Sequence, residues 1–318
     1  MPGERYALII GGIGGQKEFT ERFFEQTNRM HKTLIEELDY RPENVFYLFE
    51  DTTYDSLRIN AECTAPNIRD IFGRLSRRMT ADDQLFIFMV GHGTFDGNWG
   101  KFNLAGPDLK DIEYAQLLAQ LPTSNIILVN TSSASGPFIR KLSGEGRVII
   151  TATKSGSEVF ETNFADFFLD AFTGNQADTN KDHRVSMLEA FEFAKSAEKT
   201  WYEEERRLRA EHPLLDDNGD GEGSQMPEAS DDGKWASRVY LAPASVELQA
   251  ALQRLQLGSH SPADSLRVEK VRLEQAIEDL KAKKDQLSRQ NYNTQLEALL
   301  VQLAKTNQHL KKLQAGEN

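Results

Sequence analysis

Cysteine is almost absent from this chain: Cys63 is the only one among 318 residues. No intrachain disulfide can form, so oxidative stapling contributes nothing to stability. The compartment stays open, because residues 1–6 have neither the basic region nor the apolar stretch of a signal peptide, and a trimmed chain would look the same. Long apolar runs are missing too. None approaches the roughly 20 residues that a membrane-spanning helix requires, so no membrane span is expected. Positive charge is in short supply, with 37 Lys and Arg against 49 Asp and Glu and a formal net charge of −12. Nucleic acid is therefore not an expected partner. Nucleotide-binding fingerprints are lacking as well. Gly11, Gly12, Ile13, Gly14 and Gly15 miss the GxGxxG spacing, and no Gly-Lys pair is followed by Ser or Thr. The glycine run reads as a tight turn rather than a phosphate cradle.

What is present is an alternation. Short apolar runs at residues 6–10, 45–49, 85–90, 126–130 and 148–153 have the length and composition of buried parallel strands. Between the first pair, Phe19, Phe23, Met30, Leu34 and Leu38 fall on one helical face; Ile68, Ile71, Phe72, Leu75 and Met79 do the same between the second pair. A further apolar run at 236–241 reads as a last strand. The pattern predicts an α/β sandwich of three layers, helices covering both faces of a mostly parallel sheet. In such folds functional residues sit just beyond the carboxyl ends of the strands.

Two of those ends carry chemistry. The third strand runs into Gly91, His92 and Gly93, and the fourth into Thr131, Ser132, Ser133, Ala134, Ser135 and Gly136. Consecutive parallel strands would bring His92 and Ser133 to the same sheet edge. A lone His beside glycines, or a Ser-rich turn, is more often structural; the pairing is what makes a site.

The sequence Phe88-Met89-Val90-Gly91-His92-Gly93 resembles the apolar strand ending in His-Gly shared by caspases, metacaspases and legumains. Ser133-Ala134-Ser135-Gly136 is similar to their Cys-x-Ser-Gly, and residues 149–153, IITAT, resemble the legumain strand after the nucleophile loop. The resemblance extends over residues 6–241 and implies a caspase-like peptidase fold of the legumain type. It also implies roles: His92 as catalytic base, Ser133 at the nucleophile position, and the amides of Gly93 and Ser133 as the oxyanion donors.

Several departures qualify it. A Cys thiol, with a pKa of about 8.5, is readily deprotonated beside a His, whereas a Ser hydroxyl normally needs an acid behind the His. Asp96 is near in sequence, but no motif places it there. Thr131 stands where legumains and metacaspases have an acidic residue, and Phe24 and Glu25 precede Gln26 where legumains have Arg and His. No peptide specificity carries over. The resemblance thus implies a pseudopeptidase retained for binding protein or peptide, or for regulation. The alternatives are a working hydrolase built on Ser133 and His92, and a cysteine peptidase whose Cys has been exchanged for Ser133.

Two acidic loops have calcium-ligand spacing. Asp178, Asn180, Asp182, Ser186 and Glu189 occupy positions 1, 3, 5, 9 and 12 of an EF-hand pattern, with the Arg184 carbonyl at position 7. His183 stands where Gly usually permits the turn. The competing reading is a polar turn that caps a helix through Ser186 and Glu189. Asp216, Asn218 and Asp220 repeat the spacing ahead of Gly221, but Pro227 holds position 12, so this site is incomplete and reads equally as an Asp and Gly turn.

Beyond residue 242 the composition shifts to Gln, Leu, Lys and Glu. The expected organisation is a domain over 1–242, a linker over 243–262 and a helical tail over 263–318. Leu266, Leu273, Leu280 and Leu287 recur at heptad spacing, as do Leu296, Leu303 and Leu310. The break between them fits a helical hairpin or a stutter in one coiled coil. Either leaves a leucine seam to be covered by the main domain, by self-association with a second copy or by another protein.

Overall fold

The computed structural model of the chain describes residues 3–174, 176–180, 184–243, 262–282 and 289–314. The chain divides into two units, Met1–Ala242 and Pro243–Asn318.

The first unit is built on strands β1 (Arg5–Gly11), β2 (Val45–Phe49), β3 (Ala61–Glu62), β4 (Gln84–Val90), β8 (Ile126–Asn130), β9 (Arg147–Thr151) and β10 (Leu214–Asp216). A separate short sheet, β5 (Gly93–Phe95), β6 (Gly100–Phe102) and β7 (Leu109–Lys110), follows β4 in sequence. The seven strands lie in the order β10-β9-β8-β4-β1-β2-β3, and every pairing is parallel except β10 with β9. The chain therefore winds outward from β1 to β3, returns to β4 beside β1, and winds outward the other way. The switch point lies between β1 and β4, where α/β sheets open a crevice at the carboxyl ends of their strands.

Period-two alternation divides the strand side chains between two cores. Ala7 and Ile9 point to one face and pack with Phe23 and Met30 of α1 (Lys17–Lys32), Phe164 and Phe168 of α5 (Phe164–Asp170), and Phe191 and Ala194 of α6 (Met187–Glu204). Leu8 and Ile10 point to the other. There they join Ile68 and Phe72 of α2 (Ala65–Arg78), Tyr114 and Leu117 of α3 (Asp111–Leu118), and Phe138 and Leu142 of α4 (Pro137–Leu142). The result is the three-layer α/β/α arrangement expected from the strand and helix alternation. All five expected strands form, each within two residues of its expected bounds.

The sixth does not. Residues 236–238 make a 3-10 turn (Ala236–Arg238), and the stretch joins no sheet; its one bridge, between Ser186 and Tyr240, is isolated. The cause is Asp217, whose carboxylate accepts from the backbone N–H groups of Gly233, Trp235 and Ala236 and curls the chain around itself. The last strand is instead β10, too short at three residues to show a periodic signal.

The second unit contains α7 (Pro262–Ala282) and α8 (Arg289–Gln314), which pack together. Leu273, Ile277, Leu280 and Leu310 are buried. Leu287 and most of the expected linker lie outside the described residues.

Candidate functional site

The carboxyl ends of β1, β2, β4, β8 and β9 present their loops on one edge of the sheet. The β8 end is a sharp turn. Ala134 adopts φ +50°, a left-handed conformation that costs a non-glycine residue about 1–2 kcal/mol. Two contacts hold it there: the Ala134 N–H donates to the Glu158 carbonyl at 2.7 Å, and Ser135 Oγ meets Thr153 Oγ1 at 3.1 Å. The turn carries Ser133 against the start of β5. The approach is so close that a Cβ on Gly93 would lie 2.2 Å from the Ser133 carbonyl oxygen, which leaves glycine as the residue that fits.

Ser133 is buried, and its Oγ serves Gly93 twice. It accepts from the Gly93 N–H at 3.1 Å and donates to the Gly93 carbonyl at 3.2 Å. The Ser133 N–H has no acceptor among the described residues. Of the two amides at this point, the Gly93 N–H is spent on Ser133 Oγ and the Ser133 N–H is open.

His92 lies at the same edge but is engaged elsewhere. Its ring is gripped edge-on between Phe19 and Phe23 of α1, with centroids 4.8 and 5.0 Å away. Burial among these rings lowers its pKa, opposed by a hydrogen bond to the Gly14 backbone carbonyl and by the charge of Glu161. Neutral imidazole is thereby favoured. No hydrogen bond joins His92 to Ser133 among the described residues. Sequence placed His92, Gly93 and Ser133 on one sheet edge, and there they are; the Ser133 hydroxyl proton, however, is directed at Gly93 rather than at the imidazole.

Among the described residues no carboxylate is hydrogen-bonded to His92; Glu161 acts on it through its charge alone. Asp96 accepts from the N–H groups of Asn98 and Trp99 and pairs with Lys101 at 2.9 Å, and these contacts pull its pKa down to about 2. Thr131 is buried with its Oγ1 bonded to the Met89 carbonyl. Phe24 packs on Phe49 and Tyr54, while Gln26 donates to Asp166.

Residues 154–163 border the turn, and sequence reading overlooked them. Besides the Glu158 carbonyl contact, Thr162 Oγ1 donates to the Thr131 carbonyl, and the Glu158 carboxylate meets His212 Nδ1 at 2.6 Å. Gly14 reads in the sequence as part of a tight turn, and no motif marks Glu50. Both stand at strand ends, β1 and β2, so the strand-end rule applied evenly along the sheet would have included them.

The calcium-type loops are occupied by internal bonds. Glu189 Oε1 accepts from Thr179 N, Thr179 Oγ1 and Asn180 N, and its Oε2 accepts from Ser186 N and Oγ. Ser186 Oγ in turn accepts from Glu189 N, completing a capping box at the start of α6. Asp178, Asn180 and Arg184 flank this arrangement; Asp182 lies outside the described residues. In the second loop, Asp216 accepts from Ser143 Oγ and Gly221 N, and Asn218 and Asp220 bond to each other. Among the described residues no cluster of three or more His, Cys, Asp or Glu is placed to hold a metal ion. No described helix is long and apolar enough to cross a membrane.

No protein-family model matches the chain, and no curated protein does. Among solved structures, it is similar to the crystal structure of protein GSU0716 from Geobacter sulfurreducens. The identity is 12% and the TM-score 0.44, over 67% of this chain and 92% of that one. A likeness of that size adds nothing to what the geometry supports.

Proposed function

We propose that the chain is a caspase-like peptidase homologue of the legumain type whose site at Ser133 and His92 binds protein or peptide without hydrolysing it at an appreciable rate. The observation that carries this reading is the state of Ser133 Oγ. Its proton goes to a backbone carbonyl and its lone pair receives a backbone N–H, so nothing deprotonates it. A serine nucleophile needs a base within hydrogen-bond reach, and the base needs an orienting partner. The open Ser133 N–H supports retained recognition of a carbonyl oxygen. Phe95, Val159 and Phe160 support an apolar contribution from the partner, since they stay exposed on the two segments that border the turn.

Reaction with a fluorophosphonate tests the reading. No labelling of Ser133 is expected; labelling that disappears in His92→Ala would overturn the proposal in favour of a working Ser and His hydrolase. Ser133→Cys is expected to bring peptidase activity, because a thiolate can form beside a neutral imidazole that does not touch it in the resting state.

Calcium at residues 178–189 is the second part of the proposal, supported by ligand spacing alone. Titration calorimetry of the intact protein with calcium chloride checks it: heat lost on Asp178→Ala is the expected result, and no heat in the unsubstituted chain rejects it.

A further inference from the structure

Because β10 runs against its neighbour β9, its beginning rather than its end meets the functional edge. Its first residue, Leu214, pairs with Thr151, the last residue of β9. The connection from α6 into β10 therefore arrives at the carboxyl edge of the parallel strands, and it brings Glu211 and His212 with it. His212 Nδ1 lies 2.6 Å from Glu158 Oε1. A carboxylate only accepts, so Nδ1 carries the hydrogen. The second oxygen, Glu158 Oε2, accepts from the Lys154 N–H at 2.9 Å, so both oxygens of this 11% exposed side chain are held. The carbonyl of the same Glu158 accepts from the N–H of Ala134, the residue at φ +50° next to Ser133. Glu211 holds the far end of the segment. Its carboxylate accepts from the Asn163 and Phe164 N–H groups at 2.8 and 3.1 Å. Beside Asn163, Thr162 Oγ1 donates to the carbonyl of Thr131, which opens the turn.

We infer that Glu211 and His212 are positioning residues of the Ser133 turn: two adjacent side chains fix residues 158–163 at both ends, and that stretch holds the Thr131 carbonyl and the Ala134 N–H where the left-handed turn needs them. A left-handed alanine persists only where its surroundings over-determine it, and the Glu158 carbonyl is one of the contacts that do so here. Val159 and Phe160, 59% and 69% exposed, lie between the two anchors. The clamp thus sets the apolar lip and the Ser133 turn together. What the turn is used for rests on the proposed reading of the site; how the turn is held does not.

Amide hydrogen exchange of the full chain, read by mass spectrometry on peptides covering residues 131–136, tests the clamp. His212→Ala is expected to speed exchange there by about tenfold, the scale of one lost charge-assisted hydrogen bond, while peptides from β1 and β4 stay unmoved. His212→Asn puts an amide N–H close to the position of Nδ1 and should restore most of the protection. Glu211→Gln keeps one acceptor for the Asn163 and Phe164 N–H groups and should act in the same direction as His212→Ala, more weakly. Glu158→Gln gives up one of the two side-chain bonds and serves equally if His212→Ala does not fold. Ala134→Gly supplies the discriminating background, because glycine adopts φ +50° without strain. There the effect of His212→Ala should shrink to about twofold or less, a non-additivity that a general loss of stability would not produce. Unchanged exchange at 131–136, equal acceleration in β1 and β4, or an effect of the same size in both backgrounds overturns the inference. Activity of Ser133→Cys toward denatured casein tests the reading of the site separately: its absence, with the exchange pattern as expected, rejects that reading and leaves the clamp standing.

Discussion

Glu211 illustrates how a single residue can set the pH response of the fold around this site. It is fully buried, and its carboxylate accepts from the N–H groups of Asn163 and Phe164 and from the Tyr202 hydroxyl, capping α5 from a distant part of the chain. Those donors favour the charged form, but burial outweighs them and raises its pKa to about 7. Asp232, also buried, is pushed up to about 7, mainly by burial, with the charges of Asp217, Asp216 and Asp220 acting in the same direction. Folding raises both pKa values, so between the unfolded and folded values the native state holds protons that the unfolded chain has released. Their contribution is complete below about pH 4 and is lost as pH rises through 7. Urea unfolding at pH 5 and pH 8 should show a less stable protein at the higher pH, by a few kcal/mol at most. Glu211→Gln should flatten part of that slope. An unchanged slope would mean that Glu211 stays ionised throughout. Neither residue stands out in the sequence, since a carboxylate in a polar stretch carries no local sign of burial.

At the scale of an element, the loop before α6 shows one spacing serving two chemistries. Ser186 followed three residues later by Glu189 is at once a capping box and the end of a calcium-ligand pattern. Because Glu189 gathers five donors, Glu189→Ala would leave three backbone N–H groups without their acceptor. The expected loss is about 3 kcal/mol, measured by urea unfolding in the presence of a chelator. Ser186→Ala removes the cap hydroxyl and should cost about 1 kcal/mol. A loss for Glu189→Ala seen only when calcium is present would assign the residue to the metal instead. The strands themselves were legible because parallel strands buried on both faces are continuous apolar runs. The turn at 236–238 was not, because it is folded by Asp217 from some twenty positions away, which no local pattern records.

For the whole molecule, among the described residues both hydrophobic cores are made of residues before 243. A chain ending at Ala242 should therefore unfold cooperatively, with a midpoint within a few degrees of the full chain, as circular dichroism melting would reveal. A broad, non-cooperative melt would show that the helical unit is required for the first to fold. The site also belongs to this scale. His92 and Ser133 were found because each adjoins a strand, and strand order in a parallel sheet brings consecutive ends together. Glu50 and Gly14 belong to the half of the sheet wound the other way. Only the return of the chain to β4 beside β1 brings their loops to the sheet edge that carries His92.

By itself the sequence determined the layered α/β architecture, the five principal strands, and the edge on which His92, Gly93 and Ser133 meet. Periodicity and strand-end position depend on residues close together in the chain, which is why they could be read there. Tertiary structure alone decided where each polar group spends its hydrogen bonds: Ser133 on Gly93, Glu50 on Gly14 and Thr20, Glu189 on its own loop. Such choices depend on packing between distant segments, and a distance of half an ångström in that packing separates an activated nucleophile from a satisfied hydroxyl.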